Sequence, residues 1–189
     1  MERGKIKRPG WQPDRNLHQV RLRCAGISLA HCLGIAMRYL KTIGIKTNQP
    51  VGRGFLFPYD TAFSNDGRIF ILNRGRVFQP LGTRIQICTF EEEYLREFGR
   101  GKGMADDQFK VPVSMAFNSE DLLYVTDEVL NEIKVFDSDG NFVDRWGSTA
   151  IDGEGLVGPS GITIDGEDNV YVVEQYGNLV RKLTSDGKS

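Results

Sequence analysis

The chain has 189 residues, 40% of them apolar and 10% aromatic, with 24 basic and 25 acidic side chains for a net charge of −1. That composition suits one folded core and excludes a disordered polymer or a chain dominated by membrane spans. The charge is unevenly placed. Residues 1–36 hold seven basic and two acidic side chains, net +5, and the rest is net −6, which argues against nucleic acid as a partner.

Residues 1–36 have no counterpart elsewhere in the chain and no clean helical or strand period. We expect a basic extension outside the fold, with Met37, which stands just before the first repeated segment, as the biological start; a basic targeting arm is the alternative. Ala25–Met37 is moderately apolar and follows Arg21 and Arg23, as in a signal-peptide core, but His31 interrupts it and it is too short to span a bilayer. Cys24, Cys32 and Cys88 are an odd set with no Cys-x-x-Cys spacing, which argues against a disulfide framework and suits the cytoplasm. Export to the periplasm or the exterior is the other compartment compatible with the N-terminal segment. Cys24, His31 and Cys32 lack a fourth ligand at any recognised zinc spacing.

From Tyr39 onward the chain repeats itself. Pro58–Phe63, Pro112–Phe117 and Pro159–Ile164 align at offsets of 54 and 47 residues. Seven residues beyond each segment stands an aromatic, Phe70, Tyr124 or Tyr171, and three further on Asn73, Asp127 or Glu174. Downstream, Asn131–Phe136 aligns with Asn178–Leu183, each leading to an Asp-Gly turn, at Asp139-Gly140 and Asp186-Gly187. Phe142–Gly147 aligns with Tyr94–Gly99 and with Tyr39–Gly44. Each unit therefore reads as four short strands, A to D, separated by turn signals. The 22 glycines fit such a turn-rich β chain. A period near 47 residues with four strands predicts an all-β fold, a β-propeller of four-stranded antiparallel blades. The expected blades are residues 58–99, 112–147 and 159–189 of a repeat region spanning 37–189, with a lone D strand at Tyr39–Ile43.

These motifs resemble NHL repeats, carried by Pro112 with Ala116-Phe117, Leu123–Asp127, Ile133–Asp137 and Phe142–Gly147. The resemblance covers residues 39–189. It implies a propeller, usually of six blades, and in general a binding platform; three blades would be half of that ring. Either the chain is part of a longer reading frame, or further copies complete the ring, the lone D strand of one pairing with the C strand of another. Such blade edges would also support self-association.

Asn73, Asp127 and Glu174 fall at one level of the ring, and their oxygens are the weak candidates for a divalent cation such as calcium. Otherwise no cofactor is expected. The same recurrence suits a structural turn residue bonding nearby backbone N–H groups. The amidating lyases of this propeller type use a histidine-rich zinc site, whereas residues 39–189 contain no histidine. Gly99–Gly103 lacks the Gly-Lys-Ser/Thr ending of a phosphate loop and joins two strands. Cys88 aligns with Phe136 and Leu183 and is expected to be buried.

Specificity is expected on the face where the B-to-C loops and D-to-A crossings emerge. There the first blade carries an insertion, Arg74–Arg84, read as a variable loop. Arg74, Arg76, Phe78 and Arg84 on it, with Glu128, Gln175 and Tyr176 on the matching loops, are the candidate binding residues for a protein or peptide partner. The first functional expectation is a non-catalytic interaction scaffold. The alternative is a metal-dependent lactonase- or lyase-type enzyme whose site is completed by blades beyond these.

Overall fold

A computed structural model describes residues 39–44, 47, 49, 51–76, 78–99, 101–147 and 155–185. The expected extension over residues 1–36, the start at Met37 and the turn at Asp186-Gly187 lie outside them.

Among the described residues, eleven strands form three antiparallel sheets. The first blade comprises β1 (Pro58–Phe63), β2 (Ile69–Arg76), β3 (Gln79–Cys88) and β4 (Tyr94–Phe98). The second comprises β5 (Pro112–Phe117), β6 (Leu123–Asp127), β7 (Glu132–Phe136) and β8 (Phe142–Gly147). The third contains β9 (Pro159–Ile164), β10 (Val170–Glu174) and β11 (Leu179–Leu183), with β11 at its edge. The strands are consecutive neighbours in each sheet, and the chain is an all-β propeller of partial extent.

Alternation along the strands serves two neighbours at once. In β6, Leu123 and Val125 face the first blade, and Tyr124 between them faces the third. Hence Leu123–Asp127 is buried throughout although successive side chains point to opposite faces. One core joins blades one and two through Phe70, Leu72, Ile85 and Ile87 against Met115, Leu123, Val125 and Phe136. The Phe70 and Phe117 rings meet edge-on at 4.8 Å across that joint. The other core places Tyr124, Ile133, Val135 and Trp146 against Ile162, Val170, Val172 and Leu183. Each fully buried aliphatic or aromatic side chain here contributes about 1.5–3 kcal/mol relative to exposure.

The blades are also joined at their A-to-B turns. Asp121 accepts from the Asn65 amide at 2.7 Å, and Asp168, one blade on, accepts from the Ser119 amide at 2.9 Å. At the opposite end of the inner strands, Asp60 Oδ2 accepts from Ser114 Oγ and the Met115 amide, both at 2.8 Å.

Two expectations are corrected. Tyr39–Ile43 is not a strand. A D strand pairs with the C strand of its own blade, and no described C strand precedes this segment. The insertion Arg74–Arg84 is not an irregular loop: β2 and β3 run on as a two-stranded hairpin, with Arg74 opposite Thr83 and Arg76 opposite Gln79.

Candidate functional site

Every A strand starts with proline, which has no N–H to offer a ladder. The residue opposite each proline on strand B is Asn73, Asp127 or Glu174, the set considered above for a cation. All three side chains turn instead to the crossing that leads into the proline. Asn73 Oδ1 accepts from the Leu56 amide at 2.8 Å, Asp127 Oδ2 from the Lys110 amide at 2.6 Å, and Glu174 Oε2 from the Val157 amide at 2.8 Å. Each donor lies two residues before its proline. The residue that follows each of them then donates its own amide to the carbonyl just before the proline: Arg74 to Phe57, Glu128 to Val111, Gln175 to Gly158. Asp127 also accepts from the Val111, Val129 and Leu130 amides, and Glu174 from Arg181 Nε at 2.5 Å. These oxygens are held by the crossing, as a structural turn residue requires. Among the described residues no group of three or more His, Cys, Asp or Glu is placed to hold a metal.

A second ring of contacts fixes the same crossings from strand C. Lys134 is fully buried and donates from Nζ to the Ala105 and Gln108 carbonyls, each at 2.6 Å. Burial holds its ammonium below the usual lysine range. Gln86, its counterpart in the first blade, donates from Nε2 to the Gly52 carbonyl at 2.6 Å. Sequence reading missed these residues, as well as Phe55, Phe109 and Leu156, which stand three residues before each proline. Phe109 closes over Gly99, whose φ is 77°. The recurring apolar residue before the proline was the available signal. Cys88 is buried as expected, and burial raises its thiol.

The loop face is built on this frame. Arg74 leans over the Tyr59 ring, its guanidinium carbon 4.2 Å from the centroid. Phe78, at the hairpin tip, is 91% exposed, and Leu81 beside it is half exposed. Arg76 ends β2, and its side chain lies outside the described set. Glu128 and Tyr176 come from the B-to-C loops of adjacent blades, and the Tyr176 hydroxyl donates to Glu128 Oε1. That bond to a carboxylate pushes the phenol above its ordinary value. Gln175 is exposed next to it.

Arg84 is corrected. It lies inside the blade, 1% exposed, with Nε 2.9 Å from Glu97 Oε2 and a second guanidinium nitrogen 3.1 Å from the Gly54 carbonyl. The hairpin carries it on β3 beside strand β4, so it ties crossing to sheet and is not at a surface. The structure thus brings Glu128, Gln175 and Tyr176 together, places Arg74 and Phe78 on the first blade, and removes Arg84 from the face.

No family model matches the sequence, and no curated protein matches it. Solved propeller structures do match its fold. Virginiamycin B lyase from Staphylococcus aureus aligns with a TM-score of 0.50 at 20% identity, covering 75% of this chain and 41% of that one. A catalytically inactive form of the same lyase with quinupristin gives 0.51 at 22% identity, over 69% and 39%. A protein of unknown function from Bacteroides caccae gives 0.51 at 13% identity, over 70% and 47%. The chain therefore spans about two fifths of the length of the lyases it resembles, and the likeness establishes the propeller fold.

Proposed function

We propose that this chain forms part of an NHL-like propeller enzyme of lyase or lactonase type, which takes its ligand on the face bearing the hairpin and the B-to-C loops. The observation that carries the reading is the Glu128–Tyr176 contact: loops of adjacent blades bring a carboxylate and a phenol into hydrogen bond at the rim. A carboxylate paired with a hydroxyl is suited to moving a proton, the step that elimination or ester opening requires. Two of the similar solved structures are forms of one propeller lyase, which supports this reading over a scaffold. The oxygens of Asn73, Asp127 and Glu174 are held by backbone amides, so a divalent cation in such a site would draw its ligands from other groups, and blades beyond these three would complete it.

The test is turnover by the full-length protein of quinupristin, virginiamycin B and a panel of simple lactones, followed by chromatography and mass spectrometry. Loss of substrate that falls at least tenfold in Glu128→Gln and Tyr176→Phe supports the enzyme. No turnover and no binding of any of these compounds removes it.

One observation favours the second reading, a protein or peptide scaffold. Phe78 and Leu81 are exposed on the β2–β3 hairpin, where apolar side chains could anchor a partner. A bound peptide whose affinity drops about tenfold in Phe78→Ser, with no catalysis, would select it.

A further inference from the structure

The loops of the first blade differ from those of the other two in the sign of their charge. The entry crossing, residues 44–59, holds Lys46 and Arg53, and the hairpin segment, 73–90, holds Arg74, Arg76 and Arg84. The exit crossing as far as residue 105 adds Arg100 and Lys102, and none of the three stretches contains an Asp or Glu. The matching loops of the second and third blades are acidic. Residues 127–132 hold Asp127, Glu128 and Glu132, residues 147–158 hold Asp152 and Glu154, and residues 174–178 hold Glu174, with no Lys or Arg in any of them. The basic cluster thus stands out on a repeat region that is itself net acidic. Its outward cations also lack carboxylate partners. Arg68, Arg96, Arg145, Arg181 and even the interior Arg84 each have a carboxylate oxygen within 4 Å. Arg53 and Lys102, both exposed, and Arg74, on the Tyr59 ring, have none among the described residues.

Between these cations the surface is apolar. Val51, two residues before Arg53, and Leu81 on the hairpin are each half exposed, and with Phe98 they line a pocket of about 340 Å³ floored by Arg84 and Glu97. The floor is already matched, since Glu97 accepts from Arg84 and the Gly52 amide and Arg84 also donates to the Gly54 carbonyl. The pocket therefore suits an apolar group and not a charged one. The exit crossing lies against the hairpin: the Gly101 amide donates to the Thr83 carbonyl at 3.0 Å, and Gly101 borders Leu81. Arg53 thus flanks the pocket on the Val51 side and Lys102 on the Leu81 side.

We infer that this patch docks an acidic peptide segment of a partner protein, which sets one leucine- or phenylalanine-sized side chain in the Val51–Leu81 pocket and carboxylates against Arg53, Arg74 and Lys102. Charge complementarity selects the occupant. Residues 1–36, at net +5, are repelled by the patch. A nucleic acid offers phosphates to the cations but no aliphatic group to the pocket, and it meets the acidic loops of the next two blades. The inference rests on the hairpin reading above, to which it adds the pocket and the partner's charge, and it is independent of proton transfer at Glu128 and Tyr176. Every residue it uses lies between positions 51 and 102.

The experiment is fluorescence anisotropy on the full chain with a fluorescein-labelled peptide of Asp and Glu around a central Leu-Leu pair. Two analogues accompany it, one with Lys for the acidic residues and one with Ser for the leucines. The acidic leucine peptide is expected to bind about tenfold or more tighter than either analogue, and to weaken severalfold as salt rises from about 50 to about 300 mM. Lys102→Glu and Leu81→Asp, both at exposed positions, are each expected to weaken it about tenfold with an unchanged far-UV spectrum. Lys182→Glu makes the same charge change at an exposed site of the third blade and is expected to alter affinity by less than about twofold. Equal binding of the three peptides overturns the inference, as does an equal loss in Lys102→Glu and Lys182→Glu, or tighter binding of a ten-nucleotide uridine strand. A peptide that binds whatever its charge and is released by Phe78→Ser leaves the hairpin reading standing without this inference. No binding of any of the three peptides at about 1 mM ends both.

Discussion

Asp127 stands across the sheet from Pro112 and accepts the amides of the two residues that lead into it, Lys110 and Val111. Because the carboxylate is fully buried and also accepts from Val129 and Leu130, its removal strands several amides at once. Each unsatisfied buried donor costs about 1–3 kcal/mol. Asp127→Ala is expected to destabilise the protein by about 3 kcal/mol or more, and Asp127→Asn, which keeps one acceptor oxygen, by less. Urea unfolding measures both; a loss under about 1 kcal/mol for the alanine variant would show that the latch does not hold the crossing.

The same geometry predicts indifference to metal. The three strand-B ends are engaged by backbone amides, so a cation has little to gain there. Treatment with EDTA, followed by calcium at millimolar excess, is expected to leave Tm unchanged within about 1 °C, because only a ligand that binds the folded state raises it. A rise of several degrees with calcium would place a cation elsewhere in the fold.

The repeat positions of the strands were legible because blade packing on both faces forces apolar residues into fixed register, as Leu123, Tyr124 and Val125 illustrate. The proline opposite Asn73, Asp127 and Glu174 was legible for the same reason, since each crossing enters its sheet in one way. What escaped was long-range or depended on absent neighbours. Arg84 looks in sequence like a loop cation, and only the continuation of β3 next to Glu97 shows it to be interior. Tyr39–Ile43 carries strand residues, yet a strand is a pairing, and no described strand pairs with it. On the loop face, Glu128 and Tyr176 were each visible as polar loop residues; their meeting across 48 positions was not.

Arg84 and Glu97 in the first blade occupy the positions of Glu132 and Arg145 in the second, with the charges exchanged. The first pair lies at 2.9 Å and is largely buried; the second lies at 3.9 Å with Arg145 exposed. Arg84→Ala leaves Glu97 next to a buried void and is expected to cost about 3 kcal/mol, the range found when one partner of a buried pair is removed. The exchanged double variant, Arg84→Glu with Glu97→Arg, should recover part of that loss, since the second blade accommodates the reversed order. Recovery stays incomplete because the Gly52 amide donates to both Glu97 oxygens, a role arginine cannot take. A double-mutant cycle by chemical denaturation checks this, and exchange that recovers nothing counts against equivalence of the two sites.

Two glycines at positive φ separate backbone strain from packing. At Gly67, φ 85°, an added Cβ meets open space; at Gly99, φ 77°, it would lie 2.4 Å from Phe109 Cε2. Gly67→Ala therefore carries the left-handed penalty alone, about 1–2 kcal/mol. Gly99→Ala adds displacement of a fully buried ring and is expected to exceed it by about 1–3 kcal/mol. Thermal unfolding of the two variants side by side gives the difference, and equal losses would mean that Phe109 yields without cost.

Asp165 closes the A-to-B turn of the third blade and gives the fold its clearest pH signature. Asn169 donates to its carboxylate from the side chain, at 3.0 and 3.1 Å, and from the backbone; the Glu167 amide and the Tyr171 hydroxyl donate as well. Hydrogen bonding, led by the Asn169 side chain, lowers its pKa from the ordinary 3.8 to about 2. With the folded value below the unfolded one, the unfolded chain binds the proton more tightly between them. The stabilising contribution of this turn is therefore complete above about pH 4 and is lost as pH falls through about 2. An NMR titration of the Asp165 carboxyl carbon is expected to find its midpoint near 2. Asn169→Ala should move that midpoint back toward 3.8, and by more than Tyr171→Phe does, because Asn169 supplies two side-chain bonds and tyrosine one. A wild-type midpoint at the ordinary value would mean that these donors point to water and not to the carboxylate.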